Sequence, residues 1–337
     1  MMKIKEYYPL KNHNTFGVEA VAKYFVDINH IDDIFFFISS GKSGIQPRLI
    51  LGEGSNMLFT KDFEGIIVHS KLKGIEVIDE DSEYVFVRAA GGENWDGFVK
   101  YCVMHGYGGL ENLSHIPGSV GASPVQNLGA YGVEAKDSIE IVEAIDLESG
   151  EKVVFRNPEC DFGYRNSVFK HRYRNKLLIT GVVFRLCKKH KFVIDYGSLK
   201  QELEKFSEVN IRNIRKSVIK IRNEKLPDPK VLGNAGSFFK NPEVDIETVQ
   251  NIMQHYPDMP HWNTGNNKIK LSAAWLIEKC NWKGRKTGRT GTYKKQPLVI
   301  VNYGNATGQE ISSTAKKIQK AVKNQFAISL EPEVNII

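Results

Sequence analysis

The sequence lacks the features that would mark a membrane, exported or metal protein. No segment approaches the roughly 18 consecutive apolar residues that a membrane-spanning helix needs, and the first ten residues, MMKIKEYYPL, have no apolar export signal. The four cysteines lie far apart, and no two of the nine histidines lie within five residues of each other. We therefore expect a cytoplasmic protein with no membrane insertion, no zinc site and no redox dithiol.

Two nucleotide-binding motifs are also incomplete. The GKSG segment that starts at Gly41 lacks the glycine of a P-loop, because the required position is Phe36. The segment GEGSN follows a short apolar strand, Arg48 to Leu51, and begins like a dinucleotide fingerprint, but its sixth position is Met57. The strand and glycine turn suit either a phosphate cradle or a plain strand-to-helix turn, and a Rossmann fold is not supported.

Charge is absent from one unusually long segment. The seventeen residues from Ile116 to Gly132, IPGSVGASPVQNLGAYG, carry no charge in a chain of which 25% is charged. Their glycines allow positive φ and close approach of the backbone, and their Ser, Gln and Asn side chains offer neutral hydrogen-bonding groups. Taken alone, this pattern favours a packing loop, with a ligand-binding loop as the alternative.

What is present fits a globular protein of two or three packed units. The chain has 337 residues, of which 41% are hydrophobic, and a net charge of +7. Such a charge suits either nucleic acid or a small anionic ligand. Up to about residue 187 strands alternate with glycine turns and a few helices, which predicts a mixed α+β unit.

Local patterns predict individual elements. Asn94 is expected to cap a helix that ends at Gly106, and Thr307 with Glu310 to form the capping box of a later helix. The basic segment Lys283 to Lys295 is predicted to be a loop. The last residues, LEPEVNII, predict a strand with Val334 and Ile336 on one face.

Seven motifs together carry a resemblance. They are GEGSN, the glycine pair Gly91 and Gly92, IPGSVGASPVQNLGAYG, FGYR, KLPDPK, GNAGSFFKNP and LEPEV. In this order, from Asn14 to Val334, they resemble the family of UDP-N-acetylenolpyruvoylglucosamine reductases, also called UDP-N-acetylmuramate dehydrogenases. The segment DYGSL, from Asp195 to Leu199, resembles the type I branch of that family, in which a loop bearing a tyrosine closes over the substrate.

The resemblance implies an α+β fold with a two-lobed FAD-binding domain of the vanillyl-alcohol-oxidase type and a smaller α+β substrate-binding domain. The lobes would be residues 1–72 and 73–187, and the substrate domain residues 188–337, with the C-terminal strand returning to the active site. FAD would be non-covalent, because the first glycine turn has no histidine. The implied cofactor-binding residues are Gly52, Gly54, Ser55, Asn56, Gly118, Ser119, Gly121, Ala122, Ser123 and Gln126.

The implied activity belongs to peptidoglycan precursor synthesis and cell wall biogenesis. NADPH would reduce FAD, which would pass hydride to C3 of the enolpyruvyl group of UDP-N-acetylglucosamine enolpyruvate, with a proton to C2, giving UDP-N-acetylmuramate. The implied catalytic residues are Arg165, Ser237 and Glu333, and the implied substrate-binding residues are Tyr196, Lys225, Asn241 and Gln296. The enzyme is expected to be a monomer without metal or nucleic acid.

Each of these side chains also has an ordinary interpretation. Arg165 alone would be a surface or ion-pair arginine, Ser237 a turn residue, and Glu333 the polar face of a last strand. The loop Gly284 to Gln296 is more basic than the family pattern, which weakens the assignment of Gln296. Two other functions remain open from sequence, namely a flavin oxidase of small alcohols or sugars and a basic nucleic-acid-binding protein.

Overall fold

The computed structural model describes residues 2–265 and 267–337, which form strands and short helices in alternation. The strands are β1 Ile4–Pro9, β2 Val21–Ile28, β3 Arg48–Leu51, β4 Met57–Leu58, β5 Phe63–Ser70, β6 Ile75–Glu80, β7 Tyr84–Ala90, β8 Gly129–Ala130, β9 Val133–Glu134, β10 Ile139–Asp146, β11 Lys152–Arg156, β12 Leu177–Cys187, β13 Gly233–Ser237, β14 Glu243–Asp245, β15 His261–Asn263, β16 Lys268–Leu271, β17 Lys286–Thr287, β18 Thr290–Tyr293, β19 Gln296–Asn302 and β20 Asn335–Ile336. The α-helices are α1 Ile31–Ser39, α2 Trp95–Met104, α3 Gly197–Leu203, α4 Ile211–Lys225, α5 Ile246–Met253, α6 Ala273–Lys279 and α7 Gly308–Phe326.

The chain divides into two compact units that are discontinuous in sequence. The first contains residues 2–8, Ala22–Gly54 and Phe63–Arg222, and the second contains Pro9–Val21, Ser55–Asp62 and Asn223–Ile337. The sequence places a domain boundary after residue 187, whereas residues 188–222 pack with the first unit. The predicted lobes and substrate domain stay predictions.

The first unit contains two larger sheets. One has the order β1-β2-β5-β3, with β5 parallel to both β2 and β3. The other is antiparallel, with the order β11-β10-β12-β7-β6. Its central strand β12 is buried along most of its length, since LLITGVVF is apolar on both faces. The aromatic rings of Trp95 and Phe98 on α2 pack with Phe184 of β12, which fixes α2 against this sheet.

The second unit is built on the antiparallel sheet β13-β19-β18-β17, against which α6 and α7 pack. The predicted capping box of α7 is confirmed, because Thr307 accepts from the Glu310 N–H and Glu310 accepts from the Thr307 N–H. Asn94 likewise caps α2 in the first unit. Strands β14-β16-β15 form a small sheet, and β20 pairs with β4 in parallel.

One sequence prediction in this unit is wrong. The segment Lys283 to Lys295 contains the hairpin β17-β18, because two of its threonines, Thr290 and Thr292, are buried strand residues among basic and glycine residues. The predicted C-terminal strand is present but short, Asn335–Ile336, and of its two apolar residues Val334 is buried and Ile336 is 42% exposed. Among the described residues, no helix is both long and apolar enough to cross a membrane.

Candidate active site

Three glycine turns of the first unit meet and form what we call the glycine cradle, made of Gly52–Gly54, Gly91–Gly92 and Gly118–Ser123. Strand β3 ends directly before Gly52, where an added Cβ would lie 2.4 Å from the Ser119 Oγ. Gly54 has φ +67°, in the left-handed region that glycine adopts without strain. Glycine at 52 therefore lets the first and third turns touch.

Backbone hydrogen bonds join the second and third turns. The Gly121 N–H donates to the Gly91 O at 2.8 Å, and the Val120 N–H donates to the Glu93 O at 2.8 Å. A Cβ on Gly121 would lie 2.9 Å from the Gly91 O. The cradle is consequently held by main-chain contacts that leave no space for a larger residue at 121.

Two side chains brace the cradle from within. The carboxylate of Glu53 accepts from Asn94 Nδ2 at 2.7 Å and from the Gly118 N–H at 3.2 Å, so it links all three turns. The buried Ser123 hydroxyl donates to the Val120 O at 2.7 Å, which fixes the loop itself. Ser119 is also buried, whereas Ala122 and Gln126 are half-buried.

The cradle fits the predicted flavin dinucleotide. A pyrophosphate carries negative charge and is held well by backbone N–H groups that converge without side-chain obstruction. At Gly52 and Gly121 a side chain would collide with Ser119 and Gly91 and would push the turns apart. The segment 116–132 also brings no ionised group of its own. Ser55 and Asn56, predicted with this group, belong to the second unit.

Arg165 occupies a strained turn in the first unit. Gly163 and Asn166 exchange two backbone hydrogen bonds, and Arg165 lies at the tip with φ +54°, which is uncommon for a residue with a side chain. Its guanidinium donates from Nη2 to the Gly129 O at 2.6 Å. Non-glycine residues in this region of φ cost of order 1–3 kcal/mol and concentrate at functional sites.

Residues that the sequence did not single out surround Tyr196. Its ring, on a half-exposed side chain, meets the Tyr131 ring edge-on, with centroids 5.5 Å apart. The guanidinium of Arg222 hydrogen-bonds to the Tyr131 hydroxyl and donates from Nε to the His115 O at 3.0 Å. Burial lowers the pKa of Arg222 and raises that of Tyr131. A desolvated guanidinium bonded to a tyrosine hydroxyl suits an anionic ligand.

Asp96 organises the helix that carries Arg222. Its carboxylate receives two hydrogen bonds from Arg215, at 2.6 and 2.9 Å, and one from the His115 N–H. Burial opposes ionisation of Asp96, but these bonds outweigh it and lower the pKa of the carboxyl. Arg215 and Arg222 are seven residues apart, two helical turns, and therefore share one face of α4. That spacing is the signal in the sequence that points to this pair.

In the second unit, Ser237 and Glu333 are brought together by the backbone. Ser237 ends β13 and pairs with Val299 of β19. The Glu333 N–H donates to the O of Phe238, the residue after Ser237, at 2.8 Å. Asn56 Nδ2 donates to the Glu333 O at 3.1 Å. We call Ser237, Glu333 and Asn56 the Ser237 cluster.

The remaining predicted substrate residues are also in the second unit. Asn241 Oδ1 accepts from the Ala273 N–H at 3.0 Å at the start of α6, and its NH2 group is the part that can donate to a ligand. Lys225 is exposed at the end of α4. Gln296 begins β19, directly after the exposed pair Lys294 and Lys295.

Comparison with known proteins gives the family. The profile described as FAD binding domain matches residues 24–156, and the profile described as UDP-N-acetylenolpyruvoylglucosamine reductase, C-terminal domain, matches residues 228–337. The reductase of that name from Flavobacterium johnsoniae is 44% identical over 339 residues, covering 100% of both chains. The one from Bacteroides fragilis is 43% identical over 334 residues, covering 99% of this chain and 100% of its own. The chain belongs to the UDP-N-acetylenolpyruvoylglucosamine reductase family.

Membership of this reductase family confirms several predictions. The protein is an FAD-dependent oxidoreductase, as predicted, since it carries the FAD binding domain and full-length similarity to reductases of this name. The crystal structure of the reductase from Thermus caldophilus superimposes with a TM-score of 0.66 at 22% identity and covers 100% of this chain and 99% of its own. The predicted α+β fold with an FAD-binding domain is confirmed, and the assignment of that domain to the vanillyl-alcohol-oxidase type stays a prediction.

Proposed function

We propose that the protein reduces UDP-N-acetylglucosamine enolpyruvate to UDP-N-acetylmuramate, with NADPH as the reductant and FAD as the intermediary. The observation that supports this most directly is the main-chain contact that puts Glu333 beside the strand end bearing Ser237. An acid and a charge-stabilising carboxyl group held by one backbone contact suit protonation of a carbon next to a carboxylate.

We propose that the glycine cradle retains FAD without a covalent bond. Gly52, Gly54 and Ser119 would present main-chain groups to the cofactor, with Gln126 as a neutral polar neighbour. Gly118, Gly121 and Ala122, whose N–H groups bond Glu53, Gly91 and Ser119, would hold the loop in shape around it. The Ser123 hydroxyl, which bonds Val120, would act on the shape of the loop. Bound FAD supplies the two-electron chemistry that links NADPH to the enolpyruvyl group.

The chain's own residues would handle charge and protons. Ser237 would give a proton to C2 of the enolpyruvyl group, and its hydroxyl can do so only where negative charge builds nearby and bulk water is excluded. Arg165, a permanent cation, would stabilise the substrate carboxylate. Glu333 can stabilise the same charge only while its carboxyl group carries a proton, since a carboxylate would repel it.

Basic, aromatic and amide side chains would bind the nucleotide part of the substrate. Lys225 is suited to a diphosphate, and Tyr196 can pack on the nucleotide or donate a hydrogen bond to it. Arg222 and Tyr131 join Tyr196 in this proposal, because the Tyr131 ring meets the Tyr196 ring and the Tyr131 hydroxyl bonds the desolvated guanidinium of Arg222. Asn241 and Gln296 would add amide contacts. We further propose a cytoplasmic monomer.

The absorption spectrum of the purified protein tests this function. The protein should be yellow, release FAD on denaturation, bleach with NADPH under nitrogen, and recover its colour when UDP-N-acetylglucosamine enolpyruvate is added. Rapid recovery with oxygen and none with the sugar nucleotide would instead indicate a flavin oxidase. A colourless protein whose DNA binding falls steeply with salt would indicate a nucleic-acid-binding protein.

A further inference from the structure

The segment Ser55–Thr60 runs beside the C-terminal strand and holds it mainly through the backbone. The Asn335 N–H donates to the Asn56 O at 3.1 Å, and the Ile337 N–H donates to the Leu58 O at 2.9 Å. At the end of this contact, the Thr60 N–H and Thr60 Oγ1 both donate to the Ile337 O, at 2.8 and 2.7 Å. These bonds set the register of β20 against β4.

The side chain of Asn56 makes a different contact. Its Nδ2 donates to the O of Glu333, at 3.1 Å, before the paired part of the strand begins. The N–H of Glu333 is bonded on its other side to the Phe238 O. Both peptide units that flank Glu333 are therefore fixed, and with them the direction in which its side chain leaves the backbone.

We propose that Asn56 is a positioning residue for Glu333. Through Nδ2 it fixes the Glu333 carbonyl, so that the carboxyl group stays beside the end of β13 where Ser237 lies. This inference rests on the proposed function, because it gives Asn56 its effect through the role of Glu333. It assigns the Asn56 side chain to Glu333, whereas the sequence resemblance implies that this residue binds the cofactor.

The chain offers a matched control for this contact. Asn56→Ala removes the bond to the Glu333 O but leaves the backbone bonds of residue 56 to Asn335. Thr60→Val removes the side-chain bond to the Ile337 O and keeps the Thr60 N–H bond. Each variant removes one side-chain bond between the same two segments, and only the first touches Glu333.

Anaerobic stopped-flow absorbance on the FAD-loaded variants tests the proposal. Asn56→Ala should retain FAD and bleach with NADPH within about twofold of the wild-type rate. Its reoxidation by UDP-N-acetylglucosamine enolpyruvate should slow by about 10- to 100-fold, because small misplacements of a reacting group have effects of this size. Thr60→Val should match the wild type in both half-reactions. Asn56→Gln, which keeps the amide donor, should recover part of the rate and serves where Asn56→Ala does not fold.

A double-mutant cycle separates positioning from general loss of structure. Asn56→Ala should add less than about twofold to the defect of Glu333→Gln if it acts through Glu333. Hydrogen exchange of the peptide covering Leu330–Ile337 should also speed up in Asn56→Ala.

Three results would overturn the inference. If the rate losses of Asn56→Ala and Glu333→Gln multiply in the double variant, or if Asn56→Ala loses FAD, then Asn56 does not act through Glu333. A wild-type reoxidation rate in Asn56→Ala, with Glu333→Gln slow, would reject the positioning role alone. Normal reoxidation in Glu333→Gln itself would overturn the proposed function and the inference with it.

Discussion

The glycine cradle and the Ser237 cluster are built in opposite ways. The cradle uses main-chain groups at three turns, and its key positions are defined by having no side chain: a Cβ at Gly52 or Gly121 would come within 2.4 and 2.9 Å of its neighbours. The cluster uses side chains from three segments far apart in sequence, aligned by the bonds from Glu333 to Phe238 and from Asn56 to Glu333.

From this difference we expect the two regions to tolerate different substitutions. In the cradle, added volume should be harmful and the chemical nature of the side chain secondary. In the Ser237 cluster, nearly isosteric changes of chemistry should be harmful while the fold and the bound cofactor survive.

The first prediction concerns two glutamates in the segment just before β20. Glu333→Gln should lower kcat by about 100- to 1000-fold, the usual loss when one group that stabilises developing charge is removed, while the protein stays yellow. Glu331→Gln should retain wild-type kcat, because Glu331 is exposed and pairs with Lys240 at 2.6 Å on the surface. Steady-state NADPH oxidation measures both. Equal kcat values for the two variants would contradict a catalytic role of Glu333.

The second prediction adds volume to the cradle. Gly121→Val should weaken FAD binding by roughly 30- to 150-fold, because overpacking against fixed backbone costs about 2–3 kcal/mol. Gly44→Val is the control in the same unit, since Gly44 is exposed with no atom within 4 Å of an added Cβ. Fluorescence of released FAD gives the affinity. Undiminished affinity in Gly121→Val would contradict a cradle made by close backbone approach.

The third prediction concerns the Asp96–Arg215 pair behind Arg222. Asp96→Asn should lower the stability of the protein by about 2 kcal/mol at pH 7, as expected for hydrogen bonds to a charged group. Since the pKa of Asp96 is lowered in the folded state, this stabilisation is present above the unfolded-state value near 4 and is lost as pH falls below it. The melting temperatures of wild type and Asp96→Asn should therefore converge below about pH 4.

A melting difference that persists unchanged at pH 3 would show that the Asp96 carboxylate is not its source. Because Asp96 bonds Arg215 and the His115 N–H, which both lie outside the cradle, FAD content should stay at the wild-type level in Asp96→Asn. A colourless variant would show that the Asp96–Arg215 pair is needed for FAD binding by the cradle.

The smallest expected effect is at Arg165, where the usual difference in stability between alanine and glycine should be reversed. In most positions glycine is less stable than alanine, but at φ +54° it should be more stable, by about 1 kcal/mol. Arg165→Gly should thus melt above Arg165→Ala, while both lose the bond to Gly129 and both lose activity. If alanine proved the more stable residue, Arg165 would not be held in a strained turn.

The local sequence carries more signal for the cradle than for the Ser237 cluster, for a physical reason. Glycine runs and an uncharged segment of seventeen residues are local signals, and so are the confirmed caps at Asn94 and Thr307. The hairpin at β17-β18 was missed because Thr290 and Thr292 stand between basic and glycine residues that suggest a loop.

The remaining omissions involve contacts between distant segments. Nothing in the local sequence of Asn56 shows that its amide bonds the Glu333 carbonyl. Arg222 was not singled out, because its partners, Tyr131 and His115, lie far upstream in the sequence. Ser237, Glu333 and Arg165 were identified through the family resemblance, and their roles stay predictions.

The most direct test of the central claim is to time both half-reactions of Ser237→Ala by anaerobic stopped-flow absorbance. The account predicts that the variant binds FAD and bleaches with NADPH at close to the wild-type rate, since the cradle is intact. Recovery of colour with UDP-N-acetylglucosamine enolpyruvate should slow by at least about 100-fold, the usual contribution of a general acid. Equal slowing of both half-reactions, or normal recovery of colour, would contradict the division of roles between the cradle and the Ser237 cluster.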